Sequence, residues 1–315
     1  WVKAGSNAFL GTCRKLHDFV TLSSENLLFM GTEKKAYLED SGSLYDITPI
    51  RRTVTLGSNP LNTSGGAGSG IITVSDNGHG ITVGSYVTFS GATAFDGLTT
   101  ANLNKEQVVT QVVDANSYKI NTGGSASSGS TAGGGSSVVA AYQINIGLNS
   151  TVLGSGWGAG TWGRFTWGSG AGSLAGQTLR LWFADDFGED LLMNIADQGI
   201  YYWDASNNTS TRAVALSSLS GASNVPTVAR KILVSEVDRH ILCFGANPLG
   251  ETTQDPLLIR WSSQESLTDW TPSATNTAGD IRLSQGSEIV TAIRTSRQIL
   301  VWTDHSLHSI QFLGP

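Results

Sequence analysis

Charge is scarce in this chain. Asp, Glu, Lys and Arg make up 14% of its 315 residues, with 19 basic against 25 acidic side chains. A net charge of −6 argues against nucleic-acid binding as the main task, because a phosphate-contacting face needs a basic patch. It leaves open a surface past which DNA slides. Segments rich in Glu, Lys and Leu, the usual material of long helices, are missing too. Proline numbers 7 while glycine numbers 38, a balance that points to many tight turns and few helices. No apolar run reaches the roughly 18 residues of a membrane span, so none is expected. The two cysteines, Cys13 and Cys243, lie far apart, and Cys243 sits in an apolar strand-like run where a buried free thiol is expected. The chain opens Trp-Val-Lys and closes on Gly314-Pro315 directly after a strand pattern, from which we expect a fragment of a longer protein.

What is present is a repeat. An apolar run, a polar turn, an aromatic-containing run and a short Thr/Ser/Pro-rich close recur along the sequence. The first copy comprises Asn26–Thr32, Lys35–Asp40 and Leu44–Pro49, and the second Asp190–Asp197, Gly199–Asp204 and Thr211–Leu216. The third comprises His240–Ala246, Leu257–Ser262 and Asp269–Pro272, and the fourth Gln298–Asp304 and Ser306–Phe312. Short strands repeating at this scale predict the antiparallel blades of a β-propeller, partial in this chain. Between the first copy and the rest the composition changes. Thr63–Gly70 and Thr122–Ser137 read as flexible Gly/Ser stretches, while β-branched or aromatic runs lie between and after them. We expect a small inserted β-sandwich or β-barrel of about six strands. The expected organisation is residues 1–51 as the first propeller segment, 52–147 as the inserted β-domain and 148–315 as propeller blades that continue further. Only Ser262–Leu267 resembles a helical turn, by its Ser and Glu at capping-box spacing.

Catalytic signals are weak. The five histidines form no His-Glu-x-x-His motif, no Cys-x-x-Cys is present, and His305 with His308 is too few ligands for zinc. The acidic group Asp185, Asp186, Glu189 and Asp190 is readable as glycosidase carboxylates, as a calcium loop or as a polar turn between blade strands; its spacing lacks the alternation of calcium loops, and the turn reading is preferred. Gly154–Gly163 lacks the Gly-Lys-[Ser/Thr] close of a phosphate loop. Sequons at Asn62, Asn149, Asn207 and Asn208 have meaning only in a eukaryotic secretory setting. We expect no enzyme, no cofactor and no metal. The sharpest remaining signal is Trp157, Trp162 and Trp167, each followed by Gly. These rings fit a subunit interface, a buried core or a sugar surface; the interface is the reading we carry forward.

Several stretches carry a resemblance. Gly154-Ser-Gly-Trp-Gly-Ala-Gly-Thr-Trp-Gly, Gly199-Ile-Tyr-Tyr-Trp-Asp, Asp255-Pro-Leu-Leu-Ile-Arg-Trp-Ser, Asp269-Trp-Thr-Pro and Ser306-Leu-His-Ser-Ile-Gln-Phe, with the inserted Ile72-Thr-Val-Ser-Asp-Asn-Gly-His-Gly and Val87-Thr-Phe-Ser-Gly-Ala, resemble a structural protein of tailed bacteriophages. The resemblance implies a tail nozzle or tail hub of a short-tailed phage, located in the virion. It implies a closed ring of this chain, six-membered in such nozzles, around the DNA ejection channel. Adaptor or portal-side proteins, distal tail proteins and tail fibres would be its neighbours, with genomic DNA passing unbound. The alternative is a carbohydrate-binding or receptor-binding module of the virion. A propeller-fold glycoside hydrolase is the third reading.

Overall fold

The computed structural model describes residues 8–151, 179–235 and 238–311. It divides into two compact units, Trp1–Ile47 with Gly147–Pro315, and Thr48–Ile146. Both are built of antiparallel strands, as the scarcity of helix-forming segments and the many turn glycines require.

The first unit opens with strands β1 (Cys13–Val20), β2 (Asn26–Thr32), β3 (Ala36–Asp40) and β4 (Ser43–Asp46), paired in chain order. The β3–β4 hairpin turns on Ser41 and Gly42, at φ 49° and 88°, the positive pair that a two-residue turn matched to strand twist demands.

The second unit holds β5 (Ile50–Thr55), β6 (Leu61–Thr63), β7 (Ile71–Ser75), β8 (Tyr86–Ser90), β9 (Glu106–Asp114), β10 (Ser117–Asn121), β11 (Ala132–Gly133) and β12 (Val139–Gln143), with one helical turn, α1 (Thr100–Leu103). All eight strands form one sheet in the order β11-β6-β7-β10-β9-β8-β12-β5. Leu61, Ile72, Phe89, Tyr118 and Tyr142 share a single core, so the sheet curls over its own face. Two of the eight strands were not expected. β6 runs into the start of one Gly/Ser stretch that read as flexible, β11 lies within the other, and the two pair. Polar bonds supply the order there: Asp96 accepts Thr63 Oγ1 at 2.6 Å, the Ser128 amide at 2.8 Å and the Gly129 amide at 3.0 Å. The capping box is likewise at Thr99 and Asn102 on α1. Ser262–Leu267 forms no helix, because the Ser262 hydroxyl accepts from the Ile241 amide and donates to the Ser263 carbonyl instead.

The first unit then continues with β13 (Trp182–Phe187), β14 (Asp190–Ile195), β15 (Ile200–Trp203) and β16 (Val214–Ala215) as a second sheet. A third follows, of β17 (Lys231–Val234), β18 (Ile241–Phe244), β19 (Leu258–Trp261) and β20 (Gly279–Arg282). The fourth comprises β21 (Ile289–Arg294), β22 (Ile299–Thr303) and β23 (Leu307–Ile310). β1 packs on β13, β13 on β17 and β17 on β21, so successive sheets meet through their first strands. Up-and-down sheets meeting at their first strands is the arrangement of propeller blades. One apolar cluster, with Leu192, Ile232, Cys243 and Trp270, fills the second junction, and another, with Phe244, Ile259, Ala292 and Val301, the third. Asp269–Pro272, which reads as a repeat close, is a loop that drives Trp270 into the second junction; the fourth strand of that sheet is β20.

Candidate functional site

A set of committed polar groups lies where the first strands of the sheets meet. Asp185 on β13 is buried, and its carboxylate accepts the Val234 amide of β17 at 2.8 Å. Arg294 of β21 donates to both Asp185 oxygens, at 3.3 and 3.4 Å, and to the Val234 carbonyl at 2.7 Å. Three sheets are thereby joined at one carboxylate. Burial pushes the Asp185 carboxyl up, against the pull of the Val234 amide and of Arg294. Its neighbour Asp186 goes the other way, held below the usual carboxylate range chiefly by His17 of β1. His17 Nε2 faces Asp186 Oδ1 at 3.5 Å, an ion-pair distance beyond a good hydrogen bond.

Two more side chains extend this seam. Asn194 of β14 is fully buried; it donates to the carbonyls of Ile195 and Ala229 and accepts the Ile232 amide at 3.2 Å. Lys231 of β17 donates to the Ala292 carbonyl of β21 at 2.6 Å and lies 5.0 Å over the Phe183 ring of β13. At the first junction Trp182 Nε1 donates to the Thr32 carbonyl at 2.7 Å. Gly31 admits that indole, since a Cβ there would stand 2.5 Å from Trp182 Cγ.

The acidic group read from the sequence separates into distinct roles. Asp185 and Asp186 lie on β13, Gly188 and Glu189 form the turn, and Asp190 opens β14. Glu189 accepts the Leu22 amide at 3.1 Å, and Asp190 accepts the Tyr202 hydroxyl at 2.7 Å and the Ala205 amide at 2.9 Å. Each carboxylate is engaged in holding strands or turns together. Among the described residues, three metal-ligand side chains converge at His17, Asp185 and Asp186, their donor atoms within 4.8 Å of one another. That is one ligand short of a structural zinc set, and Arg294 already lies against Asp185. We therefore count the group with the cross-sheet network.

The remaining candidates are dispersed. His79 is buried in the second unit, with Nδ1 facing the Ile81 amide and Nε2 the Asp114 carbonyl. His240 Nδ1 contacts the Ser262 carbonyl at 2.7 Å, while His305 pairs with Asp304 and His308 with the Ser306 hydroxyl. Both cysteines are free, and burial pushes the Cys243 thiol up. Trp157, Trp162 and Trp167 lie outside the described residues. Sequence reasoning missed Asn194, Lys231 and Arg294. Asn194 stands inside an apolar run, and Lys231 and Arg294 stand at strand ends, so single polar residues within or beside apolar strands were the available signal.

No protein-family model matches the chain, and no curated protein matches it. Among solved structures the chain is similar to a phage phi92 endosialidase at 12% identity and a TM-score of 0.26, over 91% of this chain and 40% of that one. A likeness of this strength assigns neither fold nor activity.

Proposed function

We propose that this chain is a non-enzymatic structural subunit of a phage tail, of the nozzle or hub type, forming part of a ring around the DNA ejection channel. Neighbouring tail proteins and further copies of the chain are its partners in this reading. The motif resemblance along Gly199–Asp204, Asp255–Ser262 and Ser306–Phe312 supports it. The observation that carries it is the fate of the carboxylates. Asp185, Asp186 and Asp190, the best acid/base candidates, are engaged with Val234, Arg294, His17 and Tyr202, which favours a stiff part over a reactive pocket. A virion component needs stiffness and surfaces for heterologous, ring-closing contacts. The acidic net charge suits a wall past which DNA moves, because it offers phosphates few partners. Gold-labelled antibody raised against the purified chain tests the reading. Label at the tail of intact virions supports it, and label confined to the capsid or to the soluble lysate counts against it.

A further inference from the structure

Between the third and fourth sheets lies a cleft of about 730 Å³. Its floor is apolar, made by Leu242 of β18, Ile299 of β22 and the indole of Trp261 at the end of β19. That indole is fixed from two sides. Trp261 pairs across the sheet with Gly279, where a Cβ would stand 2.4 Å from Trp261 Cζ2, so only glycine lets the ring lie over β20. Its Nε1 donates to the Thr277 carbonyl at 2.8 Å. An aromatic surface held this way has little freedom left to lose when a ligand stacks on it.

The rim has a different chemistry. Arg297 is exposed and has no carboxylate partner among the described residues, and Asp238 stands on the same rim with Gln298 and Ser235. The second arginine, Arg294, already lies against Asp185, and His240 turns Nδ1 to the Ser262 carbonyl. Among the described residues the cleft thus offers one uncommitted cation, one anion, an amide and hydroxyls, a balanced set of donors and acceptors without surplus charge. Such a rim suits hydroxyl groups, and the flat apolar floor suits the C–H face of a pyranose ring. An acidic ligand would meet Asp238 with no excess of cations to offset it.

We infer that this cleft binds a neutral oligosaccharide, stacked on Trp261 and hydrogen-bonded through Arg297, Asp238 and Gln298. The inference does not rest on ring assembly. Calorimetric titration of the full chain with maltohexaose, cellohexaose and chitohexaose, and with a galacturonate hexamer as the acidic comparison, tests it. At least one neutral hexasaccharide should bind with Kd near or below about 1 mM, and Trp261→Ala and Asp238→Ala should each weaken it about tenfold or more. Asp238→Ala, at the rim, should melt with the parent, so it answers the question even if Trp261→Ala fails to fold. The inference is overturned if none of the neutral hexamers binds, if binding survives Asp238→Ala unchanged, or if the galacturonate hexamer binds more tightly than all three.

Discussion

Gly31 shows how much one missing methyl decides. It follows the apolar run Leu27–Met30, yet a side chain here would enter the Trp182 ring, which is itself fixed by the Thr32 carbonyl. Gly31→Ala should therefore destabilise the first unit by about 1–3 kcal/mol, the usual cost of overpacking, as read by denaturant titration. Asp96 is a second decisive residue, this time through hydrogen bonds. Four donors (the Thr63 hydroxyl, both Ser128 groups and the Gly129 amide) hold its carboxyl down at about 2. A carboxylate lowered in the folded state stabilises above its unfolded pKa, and that support is lost as pH falls through the folded value. The second unit should accordingly lose thermal stability between about pH 4 and pH 2. Asp96→Asn should melt lower than the parent at pH 7 and show a shallower loss over that acid range in calorimetric scans. The sequence marked neither residue. A glycine in an apolar run looks like weakness, and an aspartate beside Gly looks like an ordinary turn.

At the scale of strands, the second and third members of each sheet of the first unit were legible, and the first members were not. β2, β14 and β18 announce themselves as apolar runs because both of their faces are largely covered, and β22 as an apolar run with one face buried and the other half-buried. β1, β13 and β21 interleave polar with apolar residues, as Cys-Arg-Lys-Leu-His-Asp-Phe-Val does, and alone look like surface. Only the assembled sheets reveal that some of their polar residues turn inward to bond a neighbouring sheet. β6 and β11 were hidden for another reason: their order comes from Asp96, more than 30 residues from either strand, and from the bond between Thr131 and Thr63, 68 residues apart. Two predictions follow from the inward polar residues. Asn194→Ala removes three hydrogen bonds and leaves the Ile232 amide unmet, so it should cost at least about 2 kcal/mol in equilibrium unfolding. Arg294→Ala strands the buried Asp185 carboxylate. Because the arginine is 30% exposed, the loss should be about 2 kcal/mol, below the roughly 3–5 of a fully buried pair. The double variant Arg294→Ala, Asp185→Ala should recover part of that loss, and a simple sum of the two single losses would show that the groups are not coupled.

For the whole molecule, the all-β class was legible from composition and from the repeat, and the described sheets bear it out. The interface assignment of Trp157, Trp162 and Trp167 concerns residues outside those described. The acidic group was weighed as a strand-to-strand turn, which lies at Gly188–Glu189, but the buried Asp185 and the half-exposed Asp186 tie sheets together in a way that no local spacing discloses. Rigid sheets joined by buried polar bonds are a suitable material for a ring that transmits force without changing shape. The central claim is that copies of this chain close into such a ring. Native mass spectrometry of the purified chain, with negative-stain images of the same sample, tests it most directly. The account predicts one closed oligomer, six-membered by the resemblance to phage nozzles, with an open axial channel. A monomer that persists at every concentration, or open filaments of undefined length, would contradict it.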